Sequence, residues 1–196
     1  SDRGVRLLDL PRAGKASALN HAVTEARHDI LLLTDANAIL APGALRALVR
    51  GFADPAVGGV SANERRDPAT IMSGSGFGER LYWEYDKWLK QAESDIGSMV
   101  SASGSLYAIR RALFRPISDP SATDDFAIST QVVRAGKRLI FEPDAVTWEP
   151  AVSTGELEFN RRVRIVTRGL RSVYGVRELL LPWNGGFYSV QLWSHK

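Results

Sequence analysis

Cysteine is missing from this sequence of 196 residues. Its absence excludes disulfide bonds and thiolate metal ligands, and it fits a reducing compartment. The sequence also lacks any apolar run close to the roughly 20 residues that cross a bilayer, and it has no basic-then-apolar signal pattern at its start. Together these absences predict a segment that is soluble by itself.

An excess of one charge is missing as well. The chain has 25 Lys and Arg residues against 22 Asp and Glu residues, a formal net charge of +3, which is too small to indicate a nucleic-acid partner. Six arginines lie between residues 161 and 177, on one predicted helix without interleaved stacking aromatics. No nucleic-acid binding is therefore expected.

The remaining composition is that of a globular domain, with 44% hydrophobic and 24% charged residues. Apolar runs and helical periodicity alternate along the chain, which predicts an α/β fold with a mostly parallel sheet and flanking helices. Strands are predicted at 5–10, 30–34, 57–61, 106–109 and 138–141, the last ended by Pro143. Helices are predicted at 17–27, 42–52, 79–92, 123–135 and from 155 to about 173.

The C-terminal stretch 179–196 is rich in aromatic residues with basic residues nearby. This composition is typical of a segment close to a membrane interface. Packing of the same stretch on the protein core is an equally good interpretation.

Asp35 and Asn37 follow the predicted strand at 30–34. Open α/β sheets bind ligands at the carboxyl ends of their strands, and oxygen ligands at alternate positions can hold a divalent cation that neutralises a diphosphate leaving group. A polar turn in which Asn37 adopts an unusual backbone angle is the alternative.

Thr123, Asp124 and Asp125 open a predicted helix. One of the carboxylates could remove a proton from an acceptor hydroxyl. Since neighbouring side chains on a helix diverge by about 100°, the second carboxylate would have a separate, orienting role. The alternative is structural, because a Thr cap and acidic residues in the first turn stabilise a helix.

Basic side chains that suit phosphate oxygens occur at two places. Arg161, Arg162 and Arg164 lie on the C-terminal basic helix, and guanidinium groups can bridge phosphate oxygens and stabilise a departing diphosphate. A solvated basic face, or one that meets anionic lipids, is the alternative. Gly14-Lys15 precedes another helix and could bring an ammonium group near phosphate, but it lacks the spacing of a complete phosphate loop. For Asn20, on that same helix, the alternative is a structural role.

These motifs, in this order, resemble those of the inverting glycosyltransferases of family two, which include cellulose and hyaluronan synthases. The segment 14–20 resembles the family's Gly-Lys-x-x-x-Leu-Asn, 34–37 resembles its Asp-x-Asp metal motif, and 123–125 resembles its Thr-Glu-Asp acceptor motif. The segment 161–165 stands where Gln-x-x-Arg-Trp is expected. The similarity covers nearly the whole chain.

The resemblance implies a GT-A fold, a nucleotide-sugar donor, Mg or Mn as metal, and inversion at the anomeric carbon. The acceptor would be a glycan or a lipid-linked molecule, in polysaccharide or glycolipid synthesis. Asp125 is then the predicted general base, and Asp35 and Asn37 are the predicted metal ligands. Substrate contacts are predicted for Lys15, Asn20, Ser103, Gly104, Ser105, Asp124, Arg161, Arg162 and Arg164.

Three departures from the family pattern qualify this prediction. Asn37 replaces the second metal-binding acid, so its neutral oxygen would be a weaker ligand. Arg161 stands for Gln. Ile165 stands for Trp and removes a stacking platform for a sugar, which bears on processivity more than on transfer.

Family members begin with nucleotide-binding strands that do not precede residue 5 here, and they continue into membrane helices. The resemblance therefore predicts a fragment, with a partial GT-A catalytic domain at 1–178 and an interfacial or membrane-proximal segment at 179–196. The full-length protein would lie at the cytoplasmic face of the cell membrane, attached through the missing flanking helices. Two alternatives stay open, a nucleotidyltransferase and a non-catalytic binding domain of a polysaccharide-export complex.

Overall fold

The fold is a five-stranded mixed sheet with helices on both faces. The structure, a computed structural model, describes residues 4–66, 76–118, 123–149 and 155–195. The strands are β1 (Ile30–Thr34), β2 (Ile39–Leu40), β3 (Val57–Arg66), β4 (Leu106–Arg110) and β5 (Arg138–Glu149). The helices are α1 (Lys15–Glu25), α2 (Ala44–Arg50), α3 (Gly76–Ile96), α4 (Asp124–Arg134), α5 (Gly155–Gly175), α6 (Pro182–Gly185) and α7 (Phe187–His195). Short 3-10 turns occupy Gly51–Ala53, Arg111–Leu113 and Arg177–Leu180.

The strand order is β1-β4-β3-β5-β2. The β3–β5 pair is parallel, whereas β1–β4, β4–β3 and β2–β5 are antiparallel. Strands β1, β3 and β5 consequently run the same way, although β3–β5 is the only parallel pair of neighbours among the described strands. Neighbour pairing is mixed because β4 inserts between β1 and β3 in the opposite direction, which the alternation of strands and helices in the sequence does not reveal.

Alternate side chains of β4 enter different cores, as the period of two in a strand requires. Tyr107 and Ile109 face one side, where Ile128 and Val132 of α4 cover them and α1 packs alongside. Leu106 and Ala108 face the other side, where they pack against α2. The sheet thus holds α1 and α4 together on one face, and that shared face positions the candidate site.

The predicted strand at 5–10 is wrong. These residues form neither helix nor strand, and Val5 and Leu7 are 69% and 87% exposed. Their apolar spacing suits a strand, but within the described residues they pair with none of the sheet strands.

The expectation that Pro143 ends the last strand is also wrong, because β5 continues to Glu149. The β3–β5 register shifts here, with Ala62 opposite Glu142 and Asn63 opposite Val146. Such a register shift is a β-bulge. Proline has no N–H to donate to the neighbouring strand and is tolerated at bulges. The side chain of Asn63 also donates to the Pro143 carbonyl at 2.9 Å.

The C-terminal segment packs on the domain through a third apolar cluster. Leu179, Tyr188 and Leu192 are buried there against Phe126 of α4 and Val176. Trp183 and Phe187, by contrast, are 78% and 54% exposed. The buried residues agree with packing of this segment on the core. The exposed Trp183 and Phe187 agree with a position close to a membrane interface. Among the described residues, no helix is both long and apolar enough to cross a membrane.

Candidate active site

Lys15 joins two acidic residues that are far apart in sequence. Its ammonium lies 2.7 Å from Asp35 Oδ1 and 3.0 Å from Asp124 Oδ2. Lys15 begins α1 after Gly14, whose φ of 88° suits glycine. Asp35 follows β1, with its backbone N–H bonded to the Ser105 carbonyl at 3.3 Å, and Asp124 begins α4. Three separately predicted segments therefore meet at one point.

The acidic environment keeps Lys15 protonated. Partial burial lowers its pKa, but the hydrogen bonds to Asp35 and Asp124 and the charges of both carboxylates outweigh this effect, so the pKa lies above its ordinary value. The side chain is still 52% exposed. Lys15 is thus a charged group that remains accessible to an anionic ligand.

Gly104 separates Asp35 from Asp125. A Cβ atom added to Gly104 would lie 3.5 Å from Asp35 Oδ2 and 3.5 Å from Asp125 Oδ2. The two oxygens are therefore no farther apart than twice that distance. Asp35 thus lies beside both Lys15, which it shares with Asp124, and Gly104, which it shares with Asp125.

The acidic end of α4 is fixed by neighbouring hydroxyl groups. Thr123 occupies the predicted N-cap position but its side chain makes no capping bond; its backbone N–H donates to Ser172 Oγ of α5 at 3.0 Å. Asp125 Oδ1 accepts the N–H of Phe126 at 2.7 Å. Ser129 Oγ donates to the Asp125 carbonyl at 2.6 Å and accepts the Ala102 N–H at 2.9 Å. Ser129 and Ser172 were not among the predicted site residues, although Ser129 lies one helical turn after Asp125.

Ser103 and Ser105 direct their hydroxyl groups into the protein. Ser103 Oγ bonds to Glu64 and lies 3.1 Å from Ser105 Oγ, which in turn lies 3.0 Å from Thr147 Oγ1. Ser103 is 8% and Ser105 1% exposed. These hydroxyls hold the loop that presents Gly104, and their contact with a substrate stays a prediction.

Asn20 is engaged with the backbone of a neighbouring loop. Its Nδ2 donates to the Ile117 carbonyl at 3.0 Å, and its Oδ1 accepts the Ile117 N–H at 2.9 Å. This double contact ties α1 to the loop before α4, which is the structural role considered for Asn20 as the alternative. Contact of Asn20 with a substrate stays a prediction.

The other predicted site residues are Asn37 and the three arginines. Asn37 is exposed in the turn after Asp35. Arg161, Arg162 and Arg164 lie on α5 as predicted. Arg164 is exposed and takes no part in the contacts of Lys15, while the side chains of Arg161 and Arg162 lie outside the described part of the structure.

The residues present fit a divalent cation only if a substrate supplies further ligands. No group of three His, Cys, Asp or Glu side chains within the described residues could hold a metal by itself. Yet three carboxylates outnumber the single ammonium group, and Mg²⁺ in proteins is commonly bound by one or two carboxylates together with substrate phosphates. Asp35, and Asn37 as a neutral oxygen ligand, would supply the protein's share of such a site.

A groove of about 430 Å³ lies on another side of α4, between that helix, α5 and the loop before α4. Its lining includes Thr130, Arg134 and Arg171 but neither Asp124 nor Asp125. At about 100° per residue, the groove-lining residues of α4 face away from Asp125. The groove therefore lies apart from Asp125, although Ala127 and Gln131 of its lining follow Asp124 by one and two helical turns.

Comparison with known proteins gives concordant findings. A family model described as "Glycosyltransferase like family 2" matches residues 1–168. Among curated proteins, the chain is similar to a poly-beta-1,6-N-acetyl-D-glucosamine synthase of Staphylococcus aureus strain COL, with 26% identity over 159 residues. That match covers 77% of this chain and 37% of the relative, so the chain spans little more than a third of the relative's length.

Two solved structures resemble the fold. The mannosyltransferase PcManGT from Pyrobaculum calidifontis, in complex with GDP-Man and Mn²⁺, has 28% identity and a TM-score of 0.65, covering 83% of this chain and 44% of its own. GalNAc-T7 with UDP, GalNAc and Mn²⁺ has 16% identity and a TM-score of 0.50, covering 75% of this chain and 32% of its own. The second likeness concerns the fold alone.

Proposed function

The chain belongs to glycosyltransferase family 2, and on this premise we propose that it transfers a sugar from a nucleotide-sugar donor to a glycan or lipid-linked acceptor with inversion. The predicted family and GT-A-like fold are confirmed by the family match and the likeness to the mannosyltransferase. Similarity to a poly-beta-1,6-N-acetyl-D-glucosamine synthase supports a role in polysaccharide synthesis.

One observation carries the proposal. The Lys15 ammonium contacts both Asp35 and Asp124, while Asp125 lies across Gly104 from Asp35. A cation, a carboxylate at a strand end and an acidic pair at a helix start thus share one small volume. Such a volume suits a reaction in which a diphosphate leaves on one side and an acceptor loses a proton on the other.

Asp125 is the proposed general base. Its carboxylate takes the proton of an acceptor hydroxyl as that oxygen bonds to the anomeric carbon, and the bond from this carbon to the diphosphate breaks with its electron pair. Attack opposite the leaving group inverts the anomeric configuration. A positioned general base typically contributes about 10²–10⁴-fold to a rate. Asp124 is proposed to orient the acceptor.

The donor side is proposed to use Lys15, Arg161, Arg162 and Arg164 as cationic contacts for the diphosphate. Asp35 and Asn37 would hold Mg or Mn, which when bound neutralises charge on the leaving group. The Mn²⁺ and GDP-Man in the related mannosyltransferase complex support this proposal.

We also propose that the full-length protein works at the cytoplasmic face of the cell membrane, with residues 179–196 at the interface. The exposed Trp183 and Phe187 of this segment support that location. Attachment would come from flanking membrane helices, as the family resemblance implies.

A thermal-shift screen of the full-length protein tests donor binding. Nucleoside diphosphates and their sugars are added with and without Mn²⁺, and we expect at least one of them to raise the melting temperature in a Mn²⁺-dependent way. A ligand at 100 times its dissociation constant stabilises the native state by about 2.7 kcal/mol. The Asp35→Asn variant should lose the Mn²⁺-dependent part of the shift. No shift with any nucleotide would contradict the proposal and favour a non-catalytic binding domain.

The Asp125→Asn variant distinguishes sugar transfer from nucleotidyl transfer. We expect transfer to fall by about 10²–10⁴-fold, because the amide cannot take the proton, while the donor-induced thermal shift is retained. Product formation is followed with the donor identified by the screen. Turnover that survives this change would instead favour a nucleotidyltransferase, which has no need of a base at this position.

A further inference from the structure

Tyr107 carries a buried hydroxyl group without a hydrogen-bond partner. Its side chain is 1% exposed, and within the described part of the chain its Oη has no partner. Buried polar groups are nearly always paired, because an unpaired one keeps its full desolvation cost. The buried Tyr188 follows this rule, since its Oη donates to the Val100 carbonyl at 2.8 Å. The unpaired Tyr107 hydroxyl therefore calls for a specific explanation.

The sheet register places Tyr107 beneath the candidate site. Tyr107 on β4 lies opposite Leu33 of β1 and packs with Leu33 and Ile128 in one core cluster. Asp35 is two residues beyond Leu33, and Asp124 is one helical turn before Ile128. The ring thus lies between the sheet and the first part of α4, on the side that bears the acidic residues.

The hydroxyl is a hydrogen-bond donor and not a titrating group at neutral pH. Burial raises the pKa of Tyr107 well above its ordinary value, and the negative charges of Asp124, Asp125 and Asp35 raise it further. An O–H that stays protonated near three carboxylates, with no partner of its own, can be used by one of them.

Asp35 and Asp124 share the ammonium partner that would be redirected, and Asp124 is the less solvated of the two carboxylates. Its Oδ2 is paired with Lys15 at 3.0 Å, and the Asp124 side chain is only 20% exposed. A donor diphosphate would draw the half-exposed Lys15 ammonium toward itself. Asp124 would then be a poorly solvated carboxylate that has lost its cation.

We propose that Tyr107 is a positioning residue, whose hydroxyl donates to the Asp124 carboxylate when the donor diphosphate draws Lys15 away. The inference rests on the proposed function in one respect, namely that Lys15 turns to the donor. In the protein with bound donor, the Tyr107 hydroxyl then holds Asp124 in the orientation that faces the acceptor.

The test compares Tyr107→Phe with Tyr188→Phe as the matched control. In the ligand-free protein we expect Tyr188→Phe to lower the melting temperature, since it removes a formed hydrogen bond, and Tyr107→Phe to leave it unchanged or raise it. With nucleoside diphosphate and Mn²⁺, Tyr107→Phe should bind about three- to tenfold more weakly than wild type. Tyr188→Phe should bind as wild type does.

The Lys15→Met background provides a measurement that needs no donor. There Asp124 has lost its ammonium partner permanently, so we expect Tyr107→Phe to lower the melting temperature in Lys15→Met although it does not do so in wild type. Equal effects of Tyr107→Phe in the two backgrounds would overturn the inference. So would a loss of stability in wild type as large as that of Tyr188→Phe.

The outcomes separate the two proposals. If wild type shows no nucleotide-induced shift, the proposed function is contradicted, and the Lys15→Met comparison alone decides whether Tyr107 supports Asp124. If wild type shifts and Tyr107→Phe shifts equally, the proposed function stands and the role of Tyr107 is refuted.

Discussion

Gly104 has no side chain, and any other residue at this position would place its Cβ atom between the carboxylates of Asp35 and Asp125. The distance from an added Cβ to either oxygen, 3.5 Å, is ordinary van der Waals contact, and the backbone here does not adopt a positive φ. Alanine would therefore fit the fold while filling the gap between Asp35 and Asp125. A substitution at Gly104 can therefore block the space between the two carboxylates without disturbing the fold, which makes Gly104 a direct probe of the site.

We expect Gly104→Ala to reduce sugar transfer by at least about tenfold, equivalent to about 1.4 kcal/mol, because the methyl group occupies space between the two carboxylates. The melting temperature should stay constant or rise slightly, as loss of glycine reduces the entropy of the unfolded chain. Transfer assays and thermal melts on Gly97→Ala provide the control, since a Cβ at Gly97 meets nothing within 4 Å. Equal rates for wild type and Gly104→Ala would contradict the proposed location of the reaction.

At the scale of elements, the loop before α4 is held from two sides by side-chain amides. Asn20 of α1 makes both of its bonds to the backbone of Ile117. Gln131 of α4 does the same for Arg115, with its Oε1 accepting the Arg115 N–H and its Nε2 donating to the carbonyl, both at 2.8 Å. The two helices that carry Lys15 and Asp124 are therefore linked through one loop.

The variant Asn20→Ala should destabilise the protein by about 1–3 kcal/mol, because it leaves the partly buried N–H and carbonyl of Ile117 without partners. Chemical denaturation measures the change. Gln91→Ala is the control, as its amide bonds to the exposed Asp95 and its loss should cost no more than about 0.5 kcal/mol. A cost for Asn20→Ala as small as that of the control would show that the Ile117 contact contributes little.

Arg134 at the end of α4 pairs with Glu178 in the turn after α5. Partial burial raises the pKa of Glu178, but the hydrogen bond and charge of Arg134 prevail and hold it below its ordinary value. The pair thus stabilises the fold above the pKa that Glu178 has in the unfolded chain, and this contribution disappears as the pH falls through the lower folded value.

We therefore expect Glu178→Gln to be less stable than wild type at pH 7 and equally stable once the pH is well below 4. Since both side chains are 43% exposed, the difference at pH 7 should not exceed about 0.5 kcal/mol. Denaturation curves measured from pH 3 to pH 7 test this. A difference that grows toward acid pH would show that the sign is wrong.

Across the whole molecule, the described helices leave apolar surface uncovered. Exposed apolar side chains recur on α5 at helical spacing: Phe159, Val163, Val166, Leu170 and Tyr174. The C-terminal segment adds Trp183 and Phe187 beside its buried anchors Leu179 and Leu192. Contiguous exposed apolar surface commonly marks an interaction site, and its aromatic content suits a lipid interface.

The double variant Trp183→Ser, Phe187→Ser should bind vesicles of phosphatidylglycerol and phosphatidylcholine at least about tenfold more weakly, because burying such a side chain contributes about 1.5–3 kcal/mol. Co-sedimentation with the vesicles measures the change. Leu7→Ser removes an exposed apolar residue at the other end of the chain and serves as control. Equal binding by all three proteins would contradict an interfacial role for residues 179–196.

The sequence predicted most elements because their signals are local. The apolar run before Asp35, the Thr123 position before α4 and Gly136 after it, with a φ of 68°, each indicate a boundary to within a few residues. The prediction failed where the outcome depends on a distant partner: the segment 5–10 does not join the sheet, and β5 passes Pro143 because β3 accommodates a bulge there.

The sequence by itself determined which residue types were available for chemistry and their order: Lys15, Asp35, the acidic pair and the later arginines, together with the family they resemble. The tertiary structure alone decided which of them meet. Insertion of β4 beside β1 brings Gly104 and Tyr107 to Asp35, and packing of α1 and α4 on one sheet face brings Lys15 to Asp124. A one-dimensional pattern encodes the secondary structure of each segment, but contact between segments depends on strand order and register, which are set by the packing of the whole core.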